Sequence, residues 1–368
     1  MRTRIALLAA TLCLTLAGAA FAQSRPPAPA PALAVAGQAE GVVLGLEGAG
    51  VGGTYLRIAA DLADALDGPG MRIVPISGQG SVQNLDDLLH LRGVDLAIVQ
   101  TDAMAAARRE RALPPGSDQA IQYISKLYDE EVHILAAPDV HTLADLKGKT
   151  VNADVPRSGS ALTARLLFDA LGIPVTFTGE PQDVGIERLK RGEIAAVVRV
   201  AGKPVDMFRA LPPDAHLHFL SVPQDDEALL STYAPGNLTH EDYPNLVADG
   251  QEVDTLTVGA VLAVYAWPPG SARNRQLARF VQALFADFDR LQQPPMHPKW
   301  REVNLAAEVR GWTRFAPAAE LVARASDAAG QQEFTRFLAA GQATDSLTQG
   351  QRAALLQQFI RWRRGEKP

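Results

Sequence analysis

Short apolar runs along the chain alternate with segments whose apolar residues recur every three to four positions. Val42 to Leu46 is one such run, and Tyr55, Ile58, Leu62, Ala65 and Leu66 then share a helical face. Arg72 to Ile76 reads as a strand, Val82 to Leu91 as a helix and Val94 to Val99 as a strand apolar on both faces. Strands without a polar face, separated by helices, imply a parallel sheet covered on both sides, since only that arrangement removes every apolar side chain from water. A long extended segment, Tyr123 to Ala137, follows, and then the pattern recurs. Its parts are a strand at Thr150 to Ala153, a helix from Ser160 to Leu171 stopped by Gly172 and Pro174, a helix near Val184 to Arg191, and a strand at Ile194 to Val198.

A second long β-branched run, Val253 to Trp267, is suited to carry the chain back into the first module. A helix is expected over 272–291, with Leu277, Phe280, Val281, Leu284, Phe285, Phe288 and Leu291 on its apolar side. The fold class is therefore α/β, with two lobes joined by two extended crossings that form a hinged cleft. Residues 41–133 with 256–345 make the first expected lobe and residues 134–255 the second. Ser346 to Gln349 has the spacing of a capping box ahead of Leu355, Leu356, Phe359 and Ile360, so residues 346–368 are expected as a helical extension.

The amino terminus changes the picture of where the protein works. Arg2 and Arg4 precede an apolar run from Ile5 to Ala22 that ends in Ala20-Phe21-Ala22, the layout of a signal peptide over residues 1–22 cleaved after Ala22. Residues 23–40 are rich in proline and alanine, and read as an extended tether. The one cysteine, Cys13, lies within the signal segment, so the exported chain carries no disulfide. No later stretch approaches the roughly 20 apolar residues of a spanning helix, and a soluble periplasmic product is expected. With 41 acidic against 35 basic residues and a net charge of −6, the chain lacks the cationic surface that a nucleic acid needs.

Three glycine- or serine-rich loops carry the candidate chemistry. Gly48-Ala49-Gly50-Val51-Gly52-Gly53 lies between the first strand and the first helix and contains G-x-G-x-x-G. No acidic residue that could hold a ribose follows the next strand, which argues against a dinucleotide. The surviving physics is that of a helix start with unpaired N–H groups and close backbone access. Ser77-Gly78-Gln79-Gly80-Ser81, with Ser81 as expected N-cap, and Pro156-Arg157-Ser158-Gly159-Ser160 repeat it. All three loops follow strand carboxyl ends, where ligands of open α/β sheets bind, and together they favour a carboxylate or another small anion.

The stretches GGTYLRIAADLADAL, SGQGSVQNLDDLLHLRGVDLAIVQTDAM, YISKLYDEEVHILAAPDVHTLADLKGKTVNADVPRSGSALTARLLFDALGI and GEIAAVVRVAGKPVDMFRAL, in order across Gly41 to Trp267, resemble the substrate-binding component of tripartite ATP-independent periplasmic (TRAP) transporters of the TAXI type. The resemblance implies a type II, Venus-flytrap periplasmic binding protein without a cofactor. Such a protein closes on a small anionic solute of the glutamate, glutamine or dicarboxylate class and delivers it to a membrane permease. On this resemblance Gly53, Thr54 and Tyr55 match first-loop contacts, Ser81 the second-loop cap, Gln100 a strand-end contact, and Ser158, Gly159 and Ser160 the second-lobe loop. Arg157 and Arg199 depart from the pattern, which has a small residue at the first position and an apolar or aromatic one at the second. If both point inward they add two cationic donors and favour a more acidic ligand. The family's histidine-proline-glycine signature after the second crossing is replaced by PPMHPKWREVN and GWTRFAPAAE.

Enzyme readings find less support. His216 and His218 would project to one side of a strand, but no third metal ligand is placed beside them. Gly78-Gln79-Gly80-Ser81-Val82 lacks the second glycine of a serine-hydrolase elbow. Asp86-Asp87 and Asp129-Glu130-Glu131 read as solvated acids rather than a catalytic pair. The rival classes left by the sequence are an extracytoplasmic sensor serving a signalling receptor, and an enzyme using the same cleft.

Overall fold

The computed structural model describes residues 41–340 together with 355 and 356, so the expected signal peptide, the tether and the capping box at Ser346 lie outside the described residues. The chain runs β1 (Val42–Glu47), α1 (Thr54–Leu66), β2 (Met71–Ile76), α2 (Ser81–His90), β3 (Leu96–Gln100) and α3 (Thr101–Arg109). β4 (Ile121–Ala136) leads to β5 (Thr150–Asn152), α4 (Gly159–Ala170), β6 (Thr176–Thr178), α5 (Gln182–Lys190), β7 (Ala196–Ala201), the short β8 (His218–Phe219) and β9 (Ala234–Thr239). β10 (Glu252–Tyr265) returns, followed by α6 (Ala272–Ala286) and α7 (Ala316–Ala340).

These strands form one sheet in the order β2-β1-β3-β10-β4-β7-β5-β6, with β8 added to β4 and β9 to β10. β1 is parallel to β2 and β3, and β5 is parallel to β6 and β7. The two long strands are antiparallel to each other and change partners along their length. β10 pairs with β9 over Glu252–Thr257 and with β3 over Ala260–Val264, while β4 pairs with β7 over Glu131–Ala136. The change of partner on β10 coincides with a register shift between Gly259 and Val261. Each crossing thus belongs to one lobe at one end and to the other lobe at its far end.

Buried side chains divide accordingly. One cluster, from Val132 through Phe168, Phe208, Phe219 and Tyr243 to Val258, fills the second lobe. Two others cover the two faces of the first lobe's sheet, one beneath α1 and α6, the other beneath α2 and α3. Leu162 of α4 joins the cluster under α2 and α3, so the second lobe packs on the first along that side.

Two expectations need correction. The helix expected over 272–291 stops at Ala286, with Asp287 at φ −104° and ψ 15°, and a separate turn spans Phe288–Leu291. The break lets Arg290 donate from Nη1 to the Ala65 carbonyl and from Nη2 to that of Asp64, each at 3.0 Å, capping the carboxyl end of α1. The run Asp129-Glu130-Glu131 is not a solvated patch, because it lies where β4 passes between lobes, and Glu130 and Glu131 are buried there. Lys299, only 2% exposed, donates through Nζ to Glu131 Oε1 at 2.8 Å and to Glu302 Oε2 at 2.9 Å. The Lys203 amide donates to Glu131 Oε2 at 2.8 Å, so both carboxylate oxygens are satisfied. Burial raises the Glu131 pKa, and Lys299 opposes that rise.

Removing one partner of a buried ion pair strands the other charge away from water. Lys299→Met is therefore expected to cost about 3 kcal/mol of unfolding free energy. Urea denaturation should show the loss as a lower midpoint with an unchanged slope, and an unaltered midpoint would contradict this account of Glu131.

Candidate functional site

A cavity of about 440 Å³ opens between the lobes and is walled by the three loops together with the ends of β3, β5 and β7. The sequence reading points to ten residues, and nine of them line it: Gly53, Thr54, Tyr55, Ser81, Gln100, Ser158, Gly159, Ser160 and Arg199. Arg157 is placed otherwise. Its Nη2 donates to Asp86 Oδ2 at 2.8 Å across the lobe boundary, with the side chain 44% exposed. Asp86 answers with a pKa lowered chiefly by that hydrogen bond.

Each loop reaches the cavity for a local reason. Gly53 is the N-cap of α1, and no side chain caps that helix, so the first-turn N–H groups of Thr54 and Tyr55 lack an acceptor within it. Gly80, rather than the expected Ser81, is the N-cap of α2. Its φ of 124° excludes other residues, and a Cβ there would stand 3.3 Å from the backbone of Ser158 and Gly159 in the facing lobe. Ser81 becomes the first helical residue, its hydroxyl accepting from the Gln100 amide at 3.0 Å. Ser158 caps α4 by accepting from the Ala161 amide at 3.0 Å, and the Ser160 hydroxyl accepts from the Val200 amide at 2.9 Å. The three serine hydroxyls are thus committed to the fold.

Arg199 differs from these. It leaves β7 of the second lobe, and its Nη2 reaches within 4.0 Å of where a side chain on Gly53 of the first lobe would begin. Its Nη1 donates to the Met207 sulfur at 3.5 Å, and its Nε is buried with no hydrogen-bond partner among the described residues. Burial lowers its pKa, while Asp154 and Glu130 oppose the shift, and a guanidinium remains cationic near neutrality.

Sequence reasoning missed the acids and amides of this cavity, namely Glu130, Asp154, Gln182 and Asp183. Asp154 sits at φ 72° just after β5, and its pKa is raised by burial. Glu130 accepts from the Tyr55 hydroxyl at 2.6 Å. Burial above all pushes Glu130 up to about 8; Glu131 and Asp102 add to the rise, while the Tyr55 hydroxyl and Lys299 oppose it. At neutral pH Glu130 therefore keeps its proton and is a hydrogen-bonding acid without charge. A usable signal did exist, since an acid inside an apolar run that crosses between lobes must lie at their boundary.

One side of the cleft is sealed. Asp102 Oδ2 of α3 accepts from Thr163 of α4 at 2.7 Å and from Tyr233 at 3.1 Å, and Arg165 Nη2 donates to Glu110 at 2.8 Å. The amide of Gln83 donates to the Arg157 carbonyl at 3.3 Å beside the Arg157–Asp86 bridge.

Two lobes on a shared sheet, paired antiparallel crossings and a polar cavity between helix starts define the type II periplasmic-binding-protein architecture, the fold of solute-binding proteins. The chain belongs to the NMT1-like family, which it matches over residues 46–313. Among solved structures it is similar to the periplasmic binding protein BugD, with 14% identity over 77% of this chain and 92% of that one, at a TM-score of 0.44. The substrate-binding protein of an amino acid ABC transporter is 13% identical over 68% of this chain and 97% of its own, at a TM-score of 0.41. An ancestral arginine-binding protein bound to arginine is 13% identical over 69% of this chain and 97% of its own, at a TM-score of 0.40. No helix among the described residues is long and apolar enough to cross a membrane.

Two outcomes follow from this geometry. A Cβ on Gly159 would lie 1.8 Å from Gln100 Oε1, so Gly159→Ala is expected to hold the lobes apart and enlarge the radius of gyration in X-ray scattering. Gln100→Ala added to it should recover part of the compactness, since Ser81 Oγ would still stand 2.9 Å from that Cβ, and an unchanged scattering profile for the single variant would contradict the close approach. For Glu130, the unfolded carboxyl ionises from about 4.5 whereas the folded one holds its proton to about 8, so native stability falls across that window and is level above it. Glu130→Gln keeps an acceptor for Tyr55 and removes this slope. Its melting temperature should match the parent's near pH 4.5 and exceed it at pH 8.5, with curves parallel at every pH as the contrary result.

Proposed function

We propose that this chain is a periplasmic solute-binding protein that captures a small carboxylate solute between its lobes and presents it to a membrane permease. The observation that carries the reading is Arg199, a cation in the cleft whose buried Nε has no hydrogen-bond partner among the described residues and which stands beside the uncapped start of α1. A carboxylate there meets two kinds of donor, the guanidinium fork and main-chain N–H groups at a helix start, both suited to negative charge. Thr54, Ser81 and Ser160 contribute amides, Gly53 and Gly159 permit close approach, Tyr55 and Gln100 border the solute, and Ser158 holds its helix start in place.

Of the described residues, 41–133 with 256–340 act as one jaw and 134–255 as the other. Contacts from both jaws exist together only in the closed form, so a bound solute shifts the hinge toward closure. Asp154 and Asp183 suit an amino group on the same solute, which favours the glutamate and glutamine class beside dicarboxylates. The amino-terminal signal segment supports export to the periplasm, and the resemblance to TAXI-type components supports a TRAP permease as partner. Binding and release need no covalent chemistry, and the reading assigns no catalytic residue.

Mass spectrometry of small molecules that copurify, followed by calorimetry with glutamate, glutamine and C4-dicarboxylates, tests the reading. Arg199→Ala should weaken the bound acid by about 1.5 to 3 kcal/mol, the value of a charged hydrogen bond. A dissociation constant unchanged by that substitution would remove Arg199 from the site and the reading with it.

A further inference from the structure

A second cavity, about 580 Å³, lies on the other side of Arg199, and Gly53, Thr54 and Arg199 belong to the walls of both. Its chemistry differs from that of the first. Leu56, Ala60, Pro295, Met296 and Pro298 give it an apolar lining, and two further guanidinium groups border it. Arg57 is anchored, its Nε on Asp61 at 3.0 Å and its Nη2 on the Pro295 carbonyl at 2.8 Å. Arg209 is exposed, its guanidinium has no hydrogen bond or ion pair among the described residues, and Asp206 is the one acid on this wall. His297 accepts from the Lys299 amide through Nδ1 at 3.2 Å, which leaves Nε2 as the N–H donor of a neutral ring.

The direction in which a solute can outgrow the first cavity is set by the lobe contacts. Along α2, α3 and α4 the way is closed by the Arg157–Asp86 and Arg165–Glu110 bridges and by Asp102. Past Arg199 it opens into the second cavity. Resting on the function proposed above, we infer that this cavity is a second anion subsite and that the solute is elongated, with one acid group at Arg199 and another, across an apolar spacer, at Arg209 and Arg57. The apolar lining between the cationic positions accommodates the spacer, and the cations outnumber Asp206.

Calorimetry on the full chain with butanedioate, hexanedioate and octanedioate, each beside the monoacid of equal length, tests the inference. Affinity of the diacids should rise beyond butanedioate, and the longer diacids should exceed their monoacids by about tenfold, one charged hydrogen bond's worth. Arg209→Ala, at an exposed side chain, should bring the best diacid down to the level of its monoacid and leave butanedioate unchanged. Ala60→Trp, which fills the cavity from the exposed face of α1, should do the same. Butanedioate bound through Arg199 with no gain on lengthening, or an Arg209→Ala effect equal for short and long acids, would overturn the subsite while leaving the interlobe site standing. No binding of any acid by parent protein would overturn both.

Discussion

The antiparallel pair formed by β4 and β10 is the constraint on which the other features depend. A single hydrogen-bonded ladder runs from one lobe into the other, and each strand exchanges partners where it passes the boundary. Backbone pairing cannot be given up there without leaving buried N–H and C=O groups unsatisfied. Any relative motion of the lobes would have to twist this two-strand bridge and part the side-chain contacts between α2, α3 and α4. The register shift beside Gly259 falls on this bridge, where a local departure from regular pairing lets the strand bend.

The bridge also explains why ionisable groups are buried at the floor of the cleft. The strand faces that would be apolar within a lobe must here serve two lobes and a cavity, and Glu130 and Glu131 occupy them with opposite solutions. Glu131 is paired with Lys299 and stays satisfied as an ion, whereas Glu130 has a tyrosine hydroxyl and keeps its proton. A neutral Glu130 spares Arg199 a full opposing charge in the same cavity. The serine hydroxyls of the loops hold helix starts and strand ends, and the cavity is lined besides by the Arg199 guanidinium and by the side chains of Glu130, Asp154, Gln182 and Asp183.

Much of this arrangement was legible in the residues. Apolar runs marked β1, β3 and both crossings, helical periodicity marked α1 and α4, and the three glycine- and serine-rich loops converge on one cavity. The two arginines show where legibility ends. Arg157 and Arg199 are alike in sequence terms, each beside a strand end or a loop of the second lobe, yet one spans the lobe boundary to Asp86 and the other turns inward. Nothing local distinguishes them, because the acid that captures Arg157 comes from α2, 71 residues away.

Taken alone, the chain determined its alternation of strands and helices, its two crossings and the glycine- and serine-rich loops from which its helices start. Those properties follow from side-chain period and from glycine, which act over a few residues. Tertiary structure decided which charges are buried, paired or left free. Glu131 depends on a lysine 168 residues away, Glu130 on a tyrosine 75 residues away, and the Arg199 Nε on having no such partner among the described residues. Electrostatic environment is a property of neighbours in space, and the fold alone says who they are.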